Sequence, residues 1–236
     1  MSFAEDGFDV WRGGLPLDLV TAAGNEIRDF FAAGAGGSDL ETDLRPADRG
    51  LERVFNIQSA VPETARLWTN TRLLEQAATL IGVESLQVFY TQAILKHPMP
   101  AAVPSAGHGI IGWHQDFAYW RGVTAPRMLT AWIPFAAVEP DGGGVVYRHR
   151  TATTDSAMLK GFNNVDLATA SGDAGPSHGP SLDIGDVAFH HCLTPHASLQ
   201  NRSKVSRLAL AVHLLDVALL PIDLSRCHHS LAFLGG

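Results

Sequence analysis

The segment Trp113-His114-Gln115-Asp116-Phe117 is the densest cluster of potential metal ligands in the sequence. Side chains alternate between the two faces of a β-strand, so on a strand His114 and Asp116 point the same way and Gln115 points away. An imidazole and a carboxylate on one face can bind one metal ion together. This motif alone is weak evidence, because a hydrogen-bonded surface pair would have the same spacing.

A second histidine-rich segment lies further along the chain, where residues 185–198 read GDVAFHHCLTPHAS. Its last histidine, His196, could join His114 and Asp116 as a third ligand. Two histidines and one carboxylate leave part of the coordination sphere open. This arrangement suits a non-haem Fe(II) that must bind a cosubstrate and O₂ together.

Arg207 follows His196 by eleven residues and begins an apolar segment. A dicarboxylate cosubstrate that binds a metal at one end needs a cation at the other. A guanidinium meets that need because its two parallel N–H groups match a carboxylate. Ser198 would share the face of His196 on an extended chain, and its hydroxyl could donate a hydrogen bond to the same carboxylate.

Composition narrows the class of protein. Of 236 residues, 46% are apolar and 17% are charged, so the chain can build a core and wholesale disorder is excluded. The net charge is −7 with no long run of Lys or Arg, which argues against a nucleic-acid partner. Eleven histidines against two cysteines indicate that imidazole and carboxylate would hold any metal, and disfavour a four-thiolate zinc site.

The N-terminal segment is acidic and lacks the basic region and apolar stretch of a signal peptide. No stretch approaches 18 uninterrupted apolar residues, so no membrane span is expected. We therefore predict a cytoplasmic protein that acts on a small molecule, without a membrane or nucleic-acid partner. The sequence does not assign an oligomeric state.

The chain divides into a helical first third and a strand-rich remainder. Apolar residues at spacings of three and four predict a helix over Leu17–Ala33, and Asn70 and Gly82 bracket another. Residues 39–53 mix both charge signs and are predicted as a surface loop. Later β-branched and aromatic runs predict strands at Leu86–Leu95, Met128–Val138, Val145–Tyr147, Val187–His190 and Arg207–Leu215.

Helices followed by many short strands argue against an alternating βαβ fold and favour a β-sandwich or jelly roll with a helical flank. We expect one domain over residues 1–236, with a helical flank over about 1–84 and a jelly-roll core over about 85–217.

These segments together resemble the phytanoyl-CoA dioxygenase family of Fe(II)- and 2-oxoglutarate-dependent oxygenases, over roughly residues 86–215. The gap from His196 to Arg207 is like the family's gap between its distal histidine and its cosubstrate arginine. The other matching stretches are residues 114–120 (HQDFAYW), 131–133 (AWI), the glycine turn at 142–143 and the Gly-Asp pair at 185–186.

The resemblance implies a mainly β, double-stranded β-helix fold (a cupin-like jelly roll) with N-terminal flanking helices. It implies that Fe(II) is bound by His114, Asp116 and His196. It also implies a set of residues around 2-oxoglutarate: Arg207 on the far carboxylate, Ser198 as its hydroxyl helper, Trp132 beside the cosubstrate, and Gln92 and Lys96 on the preceding strand, where either could make the contact.

The implied activity is oxidation of a C–H bond of a small organic molecule, with 2-oxoglutarate and O₂ consumed and succinate and CO₂ released. Hydroxylation is the default outcome, and desaturation, ring closure or epimerisation would use the same ligands.

Residues 147–150 lack the Pro-Gly-Ser-His-like stretch that the family often has there, which argues against phytanoyl-CoA as substrate. The presence of Asp116 disfavours halogenation. The short, Ala- and Gly-rich chain is compatible with tailoring of a natural product such as an antibiotic.

Substrate contacts are predicted at His108 and His149, in two possible entrance loops, and at Trp113 and Phe117, which flank the ligands. Sequence reasoning assigns the adjacent His190 and His191 to packing or hydrogen bonding, and His213 to the core.

A different class of function stays open at the level of sequence. A cupin-like metal-dependent isomerase, or a ligand-binding jelly roll without oxygenase activity, would share the metal ligands. The cosubstrate contact at Arg207 is the feature that distinguishes the oxygenase from both.

Overall fold

The strands form two antiparallel sheets. The computed structural model describes residues 3–34, 42–44, 50–100, 109–120, 122–123, 125–150 and 179–220. The strands within these ranges are β1 (Phe8–Trp11), β2 (Thr42–Leu44), β3 (Leu51–Phe55), β4 (Leu86–Lys96), β5 (Ile111–His114), β6 (Met128–Pro134), β7 (Val145–Tyr147), β8 (Val187–His191), β9 (His196–Ser198) and β10 (Arg207–Asp216). The large sheet has the order β1-β8-β6-β10-β4-β3-β2, and the small sheet has the order β5-β9-β7.

Helices come mainly from the first third of the chain. The α-helices of the described residues are α1 (Phe3–Asp6), α2 (Leu17–Ala32), α3 (Arg66–Thr69) and α4 (Leu73–Ile81). Short 3-10 helices cover Ile57–Ser59, Pro62–Ala65, Asp116–Tyr119 and Val217–Leu219. No helix within the described ranges is both long enough and apolar enough to cross a membrane.

β10 organises the large sheet. It pairs along its length with β4, which sets Arg207 opposite Lys96 at one end and Asp216 opposite Leu86 at the other, and with β6 on its other side. Every residue of β6 and β10 is buried. Neither face of these strands meets water, and polar residues of both strands, Thr130 of β6 and His213 of β10, line the cavity between the sheets.

The two faces of the large sheet bury different layers. Leu208 and Leu210 of β10 belong to the apolar core that includes α2, α3 and α4, whereas Ala209 and Ala211 belong to a core shared with Val145 of the small sheet. This alternation follows from the period of two along a strand. Two antiparallel sheets that face each other, with helices outside one of them, are the arrangement of a jelly roll, so the predicted mainly β fold is confirmed.

The predicted elements agree closely with the observed ones where burial is strong. α2 ends one residue before the predicted limit, and Gly82 ends α4 with a left-handed φ of 68°, as glycine commonly does after a helix. Asn70 is not the cap of α4, because Arg72 occupies that position without a side-chain hydrogen bond. β6 stops at Pro134, and Val138 forms only an isolated bridge beyond it.

The first 84 residues are not purely helical. β1 pairs with β8 at one edge of the large sheet, and β3 pairs with β4 near the other. The surface loop predicted over residues 39–53 is wrong for β2 and for the start of β3. Only Leu51 and Val54 of β3 are fully buried, and two apolar positions among charged neighbours do not distinguish a short strand from a loop.

We predict that Gly24→Ala destabilises the protein. Gly24 lies inside α2, and a Cβ there would come within 2.7 Å of the Phe135 ring. The gain in helix propensity is about 1 kcal/mol, and the forced displacement in a packed core costs about 1–3 kcal/mol. Thermal unfolding should show a lower Tm for this variant. Thr21→Ala, on an exposed turn of the same helix, is the control and should leave Tm nearly unchanged. An increase in Tm for Gly24→Ala would contradict tight packing at this contact.

Candidate active site

Two strands of the small sheet set the predicted metal-binding histidines opposite each other. β5 ends at His114, β9 begins at His196, and the two residues are partners in the register. Their ring centroids lie 4.1 Å apart. One potential ligand atom from each of His114, Asp116 and His196 lies within 4.8 Å of the other two. The structure therefore brings together residues that are far apart in the sequence.

Both imidazoles present Nε2 as a free acceptor. Nδ1 of His114 hydrogen-bonds to the carbonyl of Gly112 at 2.8 Å, and Nδ1 of His196 to the carbonyl of Thr194 at 2.9 Å. A carbonyl only accepts, so Nδ1 carries the proton in each ring and Nε2 keeps its lone pair. Burial lowers the pKa of each ring to about 4, with a further contribution from neighbouring imidazoles. Both rings are thus neutral at pH 7, as metal ligands must be.

Asp116 reaches the site from a 3-10 helix and not from a strand. β5 ends at His114, Gln115 is still extended, and the helix Asp116–Tyr119 begins directly after it. One extended residue is enough to keep His114 and Asp116 on the same side, as the predicted strand would. Gln115 points away and donates to the carbonyl of Leu193 at 2.5 Å.

The two oxygens of the Asp116 carboxylate have different surroundings. Oδ1 lies 3.7 Å from Nε2 of His114 and 3.5 Å from Nε2 of His196. Oδ2 accepts a hydrogen bond from Thr130 Oγ1 at 2.6 Å and lies 3.3 Å from Nε2 of His190. Burial alone would raise the pKa of this carboxyl, but His196 and His190 hold the pKa well below its usual value. Oδ1 is therefore an anionic oxygen aimed at the two imidazoles.

This set of donors fits Fe(II). Two neutral imidazole nitrogens and one carboxylate oxygen converge from one side, which is the ligand set of non-haem Fe(II) oxygenases with open coordination positions. All three residues line a cavity of about 240 Å³ between the two sheets. A metal held at this point would turn its open positions toward that cavity.

The cavity is polar near the metal ligands and aromatic elsewhere. Residues of the large sheet line it at every second position, such as Tyr90, Gln92 and Ile94 of β4. Arg53 of β3 adds a positive charge to the wall and lies over the ring of Phe55. The other aromatic residues in the lining are Tyr119, Trp120 and Trp132.

Arg207 lies immediately behind the cavity wall. Its Nη2 donates to the carbonyl of Gly143 at 2.6 Å and to Oγ of Ser198 at 3.3 Å, and its guanidinium sits 5.2 Å from the centre of the Trp132 ring. Ser198 and Trp132 themselves line the cavity. Nε of Arg207 is buried without a hydrogen-bond partner among the described residues. The predicted cosubstrate residues Arg207, Ser198 and Trp132 thus form one cluster.

The turn at residues 142–144 contributes to this cluster. The carbonyl of Gly143 accepts from both Arg207 and Ser198. Gly143 has a φ of 71°, and a Cβ there would lie 3.0 Å from the backbone of Asn201. Glycine suits this position because it has no Cβ and adopts a positive φ without strain.

Gln92 and Lys96, which sequence reasoning could not separate, occupy different positions. Gln92 lines the cavity. Lys96 is fully buried, and its ammonium donates to the backbone carbonyls of Ser198 at 2.8 Å and Leu199 at 2.5 Å. Gln92 is therefore placed to reach a bound molecule, whereas Lys96 ties the end of β9 to β4.

Two buried basic side chains, Lys96 and Arg207, lie side by side at this end of the site. Burial lowers the pKa of Arg207 to about 9, and burial together with Arg207 lowers the pKa of Lys96 well below its usual value. Their hydrogen-bond partners among the described residues are carbonyls and one hydroxyl, with no carboxylate. This end of the cavity suits an anion, which fits the far carboxylate of 2-oxoglutarate.

Three of the four predicted substrate contacts do not line the cavity, and the fourth, His108, lies outside the described residues. Trp113 points away from His114 and packs against the guanidinium of Arg148 at 4.3 Å. Phe117 packs into a separate apolar cluster, and His149 pairs with Asp6 at 2.7 Å. The aromatic residues that line the cavity next to Asp116 are instead Tyr119 and Trp120, a few positions further on.

Sequence reasoning leaves three lining residues near Asp116 out of the site. His190 lies 3.3 Å and His213 lies 3.7 Å from Oδ2 of Asp116, and Thr130 donates to it. The sequence does point to His213, because six residues separate it from Arg207 and both side chains therefore point to the same face of β10. Thr130 likewise points to the same face of β6 as Trp132, two residues further on. Adjacent histidines at 190 and 191 give no such indication without knowledge of the strand's orientation.

Comparisons with known proteins identify the family of this chain. The phytanoyl-CoA dioxygenase family matches residues 3–209. Phytanoyl-CoA dioxygenase domain-containing protein 1 of Mus musculus is 24% identical over 212 residues, covering 85% of this chain and 69% of the mouse protein.

Two solved structures have a similar fold. The epimerase SnoN in complex with Fe³⁺, alpha ketoglutarate and nogalamycin RO has a TM-score of 0.70 and 20% identity, covering 91% of this chain and 80% of SnoN. EctD from S. alaskensis with 2-oxoglutarate and 5-hydroxyectoine has a TM-score of 0.73 and 20% identity, covering 92% of this chain and 75% of EctD. The match over most of its length shows that the chain belongs to the phytanoyl-CoA dioxygenase family of Fe(II)- and 2-oxoglutarate-dependent oxygenases.

Proposed function

We propose that this oxygenase oxidises a C–H bond of a small organic molecule, with His114, Asp116 and His196 as its Fe(II) ligands. The observation that carries the assignment is the convergence of their three donor atoms within 4.8 Å at the wall of a cavity. When bound, Fe(II) supplies the O₂ activation that is coupled to decarboxylation of 2-oxoglutarate. The protein fixes the ligands, holds the cosubstrate and limits the access of water.

The cosubstrate contacts follow from the charge at the opposite end of the site. We assign Arg207 and Ser198 to the far carboxylate of 2-oxoglutarate, because the guanidinium and the hydroxyl lie together beside the cavity. Trp132 forms the adjacent wall, and Gln92 is the residue of β4 that reaches the bound molecule. Lys96 acts through the backbone carbonyls that it binds and holds β9 in position.

A small substrate is supported by the size of the cavity. The cavity of about 240 Å³ among the described residues would hold 2-oxoglutarate together with the reacting part of a compact substrate. Aromatic side chains line the part away from the ligands. The structural similarity to SnoN from nogalamycin biosynthesis supports tailoring of a natural product as the role. Hydroxylation, ring closure and epimerisation all fit the same ligands, and cytoplasmic location stays a prediction.

Metal binding should depend on each histidine ligand. We expect His114→Ala and His196→Ala each to weaken Fe(II) binding by more than about 100-fold, a larger loss than removal of outer-shell partners causes. Anaerobic titration against a competing chelator measures this affinity. His97→Ala is the control, because His97 pairs with Glu52 away from the cavity. Unchanged one-to-one binding in both ligand variants would move the metal site elsewhere.

Arg207 should determine the affinity for 2-oxoglutarate. Loss of a charge-assisted contact in Arg207→Gln costs about 1.5–3 kcal/mol, so we expect the Kd of 2-oxoglutarate to rise roughly 10- to 100-fold. The Kd is measured from the visible charge-transfer band of the anaerobic Fe(II) complex. Fe(II) affinity in the absence of 2-oxoglutarate should not change. Arg202→Gln, whose guanidinium binds carbonyls outside the cavity, is the matched control. Equal values of Kd in the two variants would remove Arg207 from the cosubstrate site.

The substrate class is tested by turnover. Incubation with Fe(II), 2-oxoglutarate, O₂ and a panel of polycyclic and other small metabolites should convert at least one of them with matching succinate formation. Turnover of fatty acyl-CoA alone would refute the proposed substrate class. Absence of both succinate and the charge-transfer band would favour a metal-dependent isomerase or a ligand-binding protein.

A further inference from the structure

The Asp116 carboxylate is held from its outer side by two converging hydrogen-bonded chains. Thr130 Oγ1 lies 2.6 Å from Oδ2, and His213 Nδ1 lies 2.7 Å from the same hydroxyl. His190 Nε2 lies 3.3 Å from Oδ2, and its Nδ1 lies 3.3 Å from the hydroxyl of Tyr147. Both chains end on Oδ2, whereas Oδ1 faces the two imidazole ligands.

The direction of every proton in these chains follows from the acceptor at their end. An ionised carboxylate only accepts, so the single proton of Thr130 must point at Oδ2. The Thr130 oxygen then accepts from His213, which places that ring's proton on Nδ1. In the second chain, His190 donates from Nε2 to Oδ2 and accepts the Tyr147 proton at Nδ1. Oδ2 thus receives two donors, and both chains are fully directed.

The arrangement restricts how the carboxylate can bind a metal. A carboxylate that turns to offer both oxygens occupies an additional coordination position, which the cosubstrate and O₂ need. Turning Asp116 in this way would break the 2.6 Å hydrogen bond from Thr130 and the contact with His190. The remaining coordination positions are therefore protected by residues that do not themselves bind the metal.

We infer that Thr130 and His190 are positioning residues that keep Asp116 bound to the metal through Oδ1 alone. This inference rests on the proposed function, because it requires the metal to be held by His114, Asp116 and His196. His213 and Tyr147 support the two donors by fixing their protons. All four residues are buried and come from strands outside β5 and β9.

Thr130→Val tests the inference because valine keeps the shape and removes the hydroxyl. Co(II) serves as the probe, since it gives both an affinity and a visible spectrum that reports coordination number. We expect Co(II) affinity to fall about 10- to 100-fold, as for other partners of metal ligands, and the visible bands to weaken and shift as Asp116 becomes bidentate. Thr130→Ser should restore both, because it keeps the donor.

Thr91→Val is the matched control. Thr91 is also fully buried in the large sheet, and its hydroxyl bonds to Gln58 and not to the site. Its variant should lose comparable stability on thermal unfolding and keep the wild-type Co(II) affinity and spectrum. If Thr130→Val matches Thr91→Val in both Co(II) readouts, the inference is wrong even though the protein binds the metal.

A second pair of variants tests the inference independently of whether Thr130→Val folds. His190→Phe keeps the ring without a donor, and His190→Gln keeps a donor at a similar reach. We expect the Phe variant to lose affinity and alter the spectrum, and the Gln variant to retain most of both. Equal readouts for these two variants would contradict the inference. Failure of the wild-type protein to bind Co(II) through the three ligands would instead overturn the proposed function.

Discussion

A buried carboxylate is the constraint on which the rest of the site depends. Asp116 is 4% exposed, and an anion removed from water costs several kcal/mol unless donors and positive charge compensate. Four imidazoles and one hydroxyl lie within 3.7 Å of its two oxygens. The polar cluster between the sheets is thus the environment that one acidic side chain requires, and the divalent cation proposed at Oδ1 would complete the compensation.

Neither sheet could build this environment by itself. The small sheet supplies His114 and His196 as partners in one register, which sets the spacing of the two proposed ligands. The large sheet supplies Thr130, His190 and His213 on three neighbouring strands, β6, β8 and β10. Because Asp116 lies between the sheets, their separation determines both the geometry of the proposed metal site and the hydrogen bonds to Oδ2 of Asp116. The apolar core that the two sheets share, which includes Val145 and Ala209, packs them against each other.

Sequence reasoning could predict the features that local pattern determines. The strands β6 and β10, and the spacing of His114, Asp116, His196 and Arg207, could be identified without a structure. The features beyond its reach depend on which strands are neighbours. Lys96 and Gln92 point to the same face of β4, because four residues separate them. The hydrogen bond from Lys96 to the end of β9 depends on how the strands are arranged around β4 and β10. The contact of His190 with Asp116 likewise requires the position of β8 in the sheet.

The two ends of the cavity pose the same electrostatic problem with opposite sign. At one end an anionic Asp116 requires a cation. At the other, the basic groups of Lys96 and Arg207 are buried next to each other, and within the described part of the chain their partners are carbonyls and a hydroxyl. A metal relieves the first and a dicarboxylate relieves the second. The metal would compensate Asp116, and a dicarboxylate bound to that metal at one end would bring its second carboxylate to Arg207. In the proposed function 2-oxoglutarate would meet the second requirement through Arg207, and the aromatic residues of the cavity wall would be left for the substrate.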